Sequence, residues 1–129
     1  MKKRNVCVVI TARPSYSRIK TALAALQEHP KTQLQLVVAA SALLERYGSA
    51  VNYIEEDGFY INAKVFNVLE GGNLAAAAKT TGIGILELSS VFENLKPDIV
   101  VTVADRFETM ATAIAASYMN IPLAHIQGG

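Results

Sequence analysis

The sequence predicts an α/β domain, a Rossmann-like parallel sheet with helices on both faces. Three observations carry this expectation. Val6–Ile10 is apolar at every position rather than at alternate ones, as a strand covered on both faces requires, and Ile99–Val103 is the most strand-like run in the chain. The stretches between such runs carry apolar residues at helical spacing. The two patterns alternate from the first strand to the last, which implies right-handed crossovers and parallel pairing.

The elements follow in order. Val6–Ile10 is the first strand, broken by Thr11-Ala12-Arg13-Pro14-Ser15. Ile19, Ala22, Leu23 and Leu26 then share a helix face, and the helix ends near His29-Pro30. Leu34–Ala40 is a second strand. Leu44, Tyr47, Val51 and Ile54 keep helical spacing, with Gly48 a point of interruption. Asp57-Gly58 marks a turn and Tyr60–Phe66 a weaker third strand. After the loop Glu70–Asn73, with Asn73 as N-cap, a long helix covers Leu74 to about Leu95. Its second half presents Ile85, Leu88, Val91, Phe92 and Leu95, and Lys96-Pro97-Asp98 stops it. Ile99–Val103 is the fourth strand. Phe107, Met110, Ala111, Ile114, Ala115 and Tyr118 mark a fourth helix, and Pro122–Ile126 is the last strand.

The chain has 129 residues, enough for one domain. Its 51% hydrophobic and 18% charged residues exclude disorder. A net charge of +1 gives no electrostatic case for nucleic acid. No apolar run approaches the roughly 18 residues of a membrane span. The lone Cys7 has no disulfide partner and no zinc spacing, and reads as a small buried hydrophobe in a reducing compartment. Met1-Lys2-Lys3-Arg4 resembles the start of a signal peptide, but the apolar stretch behind it is short and meets Arg13-Pro14, so it reads as a basic tail. Gly128-Gly129 directly follows a strand with no closing helix, so the chain is expected to be part of a longer protein.

Open parallel sheets bind ligands outside the carboxyl ends of their strands. Three such ends carry chemistry. The first holds Arg13 and Arg18, whose planar forks match phosphate or carboxylate, and Arg13 adjoins a helix N-terminus that also favours anions. The second holds Asp105-Arg106-Phe107-Glu108, which fits a capping box with Asp105 as N-cap and Glu108 at N3, and equally places an acid/base carboxylate at the mouth of the sheet. The third holds His125, either packed beneath the rim or on it, followed by Gln127 and two glycines. Gly82-x-Gly84 lacks both the third glycine and the preceding strand of a dinucleotide fingerprint, and no phosphate-binding lysine loop or serine elbow is present.

Four segments together resemble the N-terminal domain of UDP-N-acetylglucosamine 2-epimerases, closest to the hydrolysing branch that feeds sialic acid and related nonulosonate synthesis. They are Val9–Tyr16, the loop around Lys79–Gly82, Lys96–Val100 with Asp105–Glu108, and Ile121–Gly129. The resemblance implies two Rossmann-like domains in the glycosyltransferase-B arrangement, of which residues 1–129 supply the first. Most of the nucleotide site would lie in the absent second domain, so the isolated chain is expected to be inactive.

The chemistry implied is loss of the C2 proton and departure of UDP to give a 2-acetamidoglucal, then addition of water. It requires no metal or redox cofactor. Asp105 matches the family's catalytic aspartate. Arg13 matches its N-terminal arginine near the phosphates, Arg18 a basic position seen in part of the family, and His125 the histidine opening its His-Ile-Glu-Gly-Gly signature. Gln127 stands at the usual catalytic glutamate, and Glu108 is counted among the substrate-binding candidates with Arg13, Arg18 and His125. Ser15 replaces a usual acidic residue, and Val103-Ala104 replace a His-Gly pair. The implied partner is a nucleotide sugar, with no nucleic acid or membrane, in a cytoplasmic homo-oligomer. A non-catalytic nucleotide-sugar-binding domain and a glycosyltransferase of the same architecture are the alternatives.

Overall fold

A computed structural model describes residues 2–43, 50–66, 73–103 and 107–126. The described elements are β1 (Arg4–Ile10), α1 (Arg13–Glu28), β2 (Thr32–Ala39), a 3-10 turn (Ala40–Leu43), α2 (Ala50–Glu56), β3 (Ala63–Val65), α3 (Leu74–Leu95), β4 (Ile99–Val103), α4 (Phe107–Tyr118) and β5 (Leu123–Ile126). The strands form one sheet in the order β3-β2-β1-β4-β5, and every pairing is parallel. This is the Rossmann-like arrangement the alternating pattern predicts.

The unbroken apolar runs are explained by two cores, one on each face. Along β1, Val6, Val8 and Ile10 pack with Tyr16, Ile19 and Leu23 of α1 and Ile54 of α2. Cys7 and Val9 point the other way, into a core with Leu88 and Phe92 of α3 and Ala111, Ala115 and Ala116 of α4. A strand whose successive side chains enter different cores has no polar face to show.

The structure adjusts several expected boundaries. The buried residues of α1 are Ser15, Tyr16, Ile19 and Leu23, while Ala22 is exposed. Tyr60–Phe66 yields only the three-residue strand β3, with Tyr60 76% and Phe66 72% exposed. The reason is Asn62: its backbone N–H donates to the Leu36 carbonyl at 2.8 Å, while its Oδ1 accepts from the Leu36 N–H at 2.8 Å. A side-chain amide thus replaces a strand carbonyl in the ladder, and regular pairing starts at Ala63. The helix expected from Leu44 is described from Ala50. Leu44, Tyr47 and Gly48 lie outside the described residues.

The ends of α3 are as expected. Asn73 Oδ1 accepts from the Ala76 N–H at 2.8 Å, and Lys96 closes the helix in the left-handed conformation at φ 51°. Among the described residues no helix is long and apolar enough to cross a membrane.

Candidate functional site

Strand order positions the site. β1 is flanked by β2 on one side and β4 on the other. The connection leaving β1 runs over the α1/α2 face, and the one leaving β4 over the α3/α4 face. Crossovers diverging to opposite faces open a crevice at the carboxyl ends of β1 and β4, where sheets of this kind take ligands.

The first wall of that crevice is the start of α1. Arg13 is its first residue and Pro14 follows, so one of the orphan donors is already absent. Ala12 caps the helix without a side-chain hydrogen bond, and its first turn holds no acidic residue. A 16-residue helix thus begins with free backbone donors and a cation on top of its positive dipole end. Such a cation is unfavourable by about 0.3–1 kcal/mol unless an anion joins it. The structure gives Arg13 no ion pair among the described residues. The turn itself is pinned: the Thr11 carbonyl accepts from the Ala42 N–H at 3.2 Å, tying it to the 3-10 turn after β2.

Beside Arg13 lies a cavity of about 270 Å³, lined by Arg13, Tyr16, Ser17, Lys20, Tyr53 and Asp57. On α1 these are positions i, i+3, i+4 and i+7, one stripe of the helix. The Arg13 guanidinium lies over the Tyr53 ring, 4.5 Å from its centroid. Further along, Asp57 Oδ2 accepts from the Tyr16 hydroxyl at 2.5 Å and pairs with Lys20 Nζ at 3.0 Å. Tyr16 also meets Phe59 edge to face, with centroids 6.3 Å apart. Donation from Tyr16, then from Lys20, holds the Asp57 carboxyl below its ordinary value. Burial, then the bond to Asp57 and its charge, push the Tyr16 phenol well above its own.

The other candidates distribute as follows. Arg18 is exposed on α1 and is not among the residues lining the cavity. His125 stands on the edge strand β5, opposite Thr102, and its Nδ1 lies 2.5 Å from Thr102 Oγ1. Thr102 is buried while His125 is exposed, so the threonine anchors one ring nitrogen and leaves the other edge of the imidazole outward. Arg13 and His125 belong to the same sheet edge but to opposite faces, with β1 and β5 about 10 Å apart across β4.

Glu108 is only 3% exposed, sunk into the first turn of α4, where a carboxylate suits the helix dipole. Asp105 and Gln127 lie outside the described residues. No group of three or more metal-ligating side chains occurs among the described residues.

Sequence reasoning missed Tyr16, Lys20, Tyr53 and Asp57 as neighbours of Arg13. The i, i+3, i+7 spacing of Arg13, Tyr16 and Lys20 was a usable signal for the α1 half. Nothing local connects Tyr53 and Asp57 to them.

Comparison with known proteins identifies the family. The family model described as UDP-N-acetylglucosamine 2-epimerase matches residues 24–129. A UDP-N,N′-diacetylbacillosamine 2-epimerase (hydrolyzing) of Legionella pneumophila is 33% identical over 126 residues, covering 98% of this chain and 33% of the relative. A GDP/UDP-N,N′-diacetylbacillosamine 2-epimerase (hydrolyzing) of Campylobacter jejuni is 30% identical over 129 residues, covering 100% of this chain and 33% of the relative. The crystal structure of UDP-GlcNAc 2-epimerase from Neisseria meningitidis bound to UDP-GlcNAc superposes with a TM-score of 0.79 at 23% identity, over 95% of this chain and 31% of that one. This chain therefore spans about a third of the length of the relatives it matches. With the family model matched over most of its length and the parallel sheet shared with a solved member, the chain belongs to the UDP-N-acetylglucosamine 2-epimerase family.

Proposed function

We propose that this chain is the N-terminal domain of a hydrolysing nucleotide-sugar 2-epimerase, with a second domain supplying the remainder of the nucleotide site. The observation that carries the reading is the uncapped start of α1 at the sheet's switch point, with the Arg13 fork beside it and no acid in its first turn. A diphosphate is the ligand such a terminus takes. The substrate is a UDP-linked 2-acetamido sugar. The names of the Legionella and Campylobacter relatives support the diacetylbacillosamine derivative beside UDP-N-acetylglucosamine itself. A relative named polysialic acid biosynthesis protein P7 from Escherichia coli, 33% identical over 129 residues, supports a role in supplying nonulosonic acids.

In the proposed reaction a base removes the C2 proton as the bond from C1 to the diphosphate oxygen breaks. UDP leaves with that electron pair, and a 2-acetamidoglucal remains. Water then adds across the double bond, its hydroxyl to C1 and a proton to C2 from the opposite face. The products are the free 2-epimeric sugar and UDP. Arg13, helped by Arg18, neutralises the charge that develops on the leaving diphosphate. Asp105 serves as acid/base. His125, its ring oriented by Thr102, and Gln127 position the sugar, while Glu108 supports the site from within the first turn of α4. The working form is a cytoplasmic homo-oligomer.

The test is to incubate the full-length protein with UDP-N-acetylglucosamine and with UDP-N,N′-diacetylbacillosamine in deuterated water and follow both by NMR. Free UDP and a 2-epimeric sugar deuterated at C2 are expected, and Asp105→Asn should abolish both. No UDP release from either sugar or from the GDP counterpart overturns the reading. Gln127 favours one second reading, because an amide cannot exchange protons as a carboxylate does. A full-length protein that binds UDP but leaves every nucleotide sugar intact would be a non-catalytic nucleotide-sugar-binding protein. UDP release that depends on an added acceptor would instead mark a glycosyltransferase.

A further inference from the structure

Arg13 is built upon. Its guanidinium carbon lies over the Tyr53 ring of α2, 4.5 Å from the centroid. A ring face attracts the cation without supplying the oxygen acceptors that its N–H donors seek. The contact holds the cation and leaves its anion-binding fork intact. A carboxylate in the same place would occupy that fork.

Tyr53 is held in its turn. Asp57 lies four residues further along the chain, and its Oδ2 is gripped by both Tyr16 and Lys20 of α1. Tyr16 and Lys20 lie three and seven residues beyond Arg13. α1 is therefore tied twice along the cavity, to α2 by the Arg13–Tyr53 contact at one end and to Asp57, the residue after α2, by the shared carboxylate oxygen at the other. The clamp sets where α2 sits, and α2 sets where the Tyr53 ring lies under Arg13.

We propose that Tyr53 is a positioning residue for the substrate diphosphate: it holds the Arg13 guanidinium in place beside the start of α1 before the anion arrives. The proposal rests on the reading that Arg13 takes the diphosphate. A free arginine side chain samples many rotamers, and binding must then restrict it. A ring that has already done so raises affinity without adding a contact to the ligand.

The test uses the full-length protein with UDP-N-acetylglucosamine as substrate, or whichever nucleotide sugar it turns over, and UDP as the binding probe. Tyr53→Leu should raise KM and the Kd for UDP together, about threefold to tenfold on the scale of partly exposed cation–π contacts, with kcat changing less than about twofold. Tyr53→Phe keeps the ring face and should restore both constants to within about twofold of the parent. In an Arg13→Ala background, Tyr53→Leu should add no further loss. Tyr53 is 45% exposed, so these changes leave the core untouched. If Arg13→Ala itself leaves KM and UDP affinity unchanged, the role of Arg13 in the proposed function fails. If Arg13→Ala weakens UDP binding but Tyr53→Leu does not, or Tyr53→Phe is as impaired as Tyr53→Leu, or the two losses simply add, the positioning role is overturned and that of Arg13 stands. A fall in KM on Tyr53→Leu would also overturn it, because the ring would then be restraining Arg13 away from the ligand.

Discussion

Cys7 sits in β1 with no exposed surface, in the core that joins the sheet to α3 and α4. Burial pushes its thiol up to about 12 from an ordinary 9.0, because a thiolate there would lose its water without gaining a partner. The unfolded chain releases this proton at a lower pH than the folded one. The associated stability is therefore fully present below the unfolded value and is lost as pH rises toward the folded value. At pH 10 the loss from this one group works out at about 1.4 kcal/mol. The comparison is urea unfolding of the parent and Cys7→Ala at about pH 7 and pH 10. The variant is less stable at neutral pH for lost packing, but its decline between the two pH values should be smaller by about 1.4 kcal/mol. Tyr16, whose phenol is also raised, contributes an alkaline loss to both proteins and drops out of the difference. Equal declines in parent and variant would refute the argument. So would alkylation of native Cys7 at pH 8 as fast as that of a free thiol.

Three further outcomes are expected. Phe92→Ala removes a ring that is 1% exposed between α3 and the sheet, and should cost about 3–5 kcal/mol in chemical denaturation. Lys96→Gly relieves a left-handed residue at φ 51° and should raise stability by about 1 kcal/mol, read as an increase in Tm, since the Lys96 carbonyl that accepts from Asn5 Nδ2 is retained. Asp57 is held below its ordinary value by Tyr16 and Lys20, so its contribution is present above the unfolded carboxylate value and is lost as pH falls below it. Melting curves of Asp57→Asn should accordingly lose less than the parent between neutral pH and about pH 3.

The legible and illegible parts of this molecule separate by range. The strand Val6–Ile10 could be read because burial on both faces leaves an unbroken apolar run, and Ile99–Val103 because four of its five residues are Ile or Val and the fifth, Thr102, is also β-branched. The cap at Asn73 and the stop at Lys96-Pro97 could be read because capping is a matter of a few neighbouring residues. β3 was overextended because the exposed Tyr60 and Phe66 carry strand propensity, while the Asn62 amide that displaces the ladder acts on Leu36, far away in sequence. Arg13 was legible from its place after the first strand. Its platform was not, because Tyr53 reads as one exposed aromatic among several and Asp57-Gly58 reads as a turn.

By itself, the amino-acid sequence determined the alternation of strands and helices, the two-sided burial of the central strands and the motifs that mark the family. Each depends on hydrophobic period or on residues close together in the chain. Only the tertiary structure decided the strand order β3-β2-β1-β4-β5, which places the crevice between β1 and β4. It likewise decided that Arg13 meets Tyr53, that one oxygen of Asp57 is shared by Tyr16 and Lys20, that His125 is oriented by Thr102, and that Glu108 is buried. The physical reason is common to all of them. These encounters join residues whose chain separation is closed only when helices pack on the sheet, and a local pattern carries no record of which partner will be waiting there.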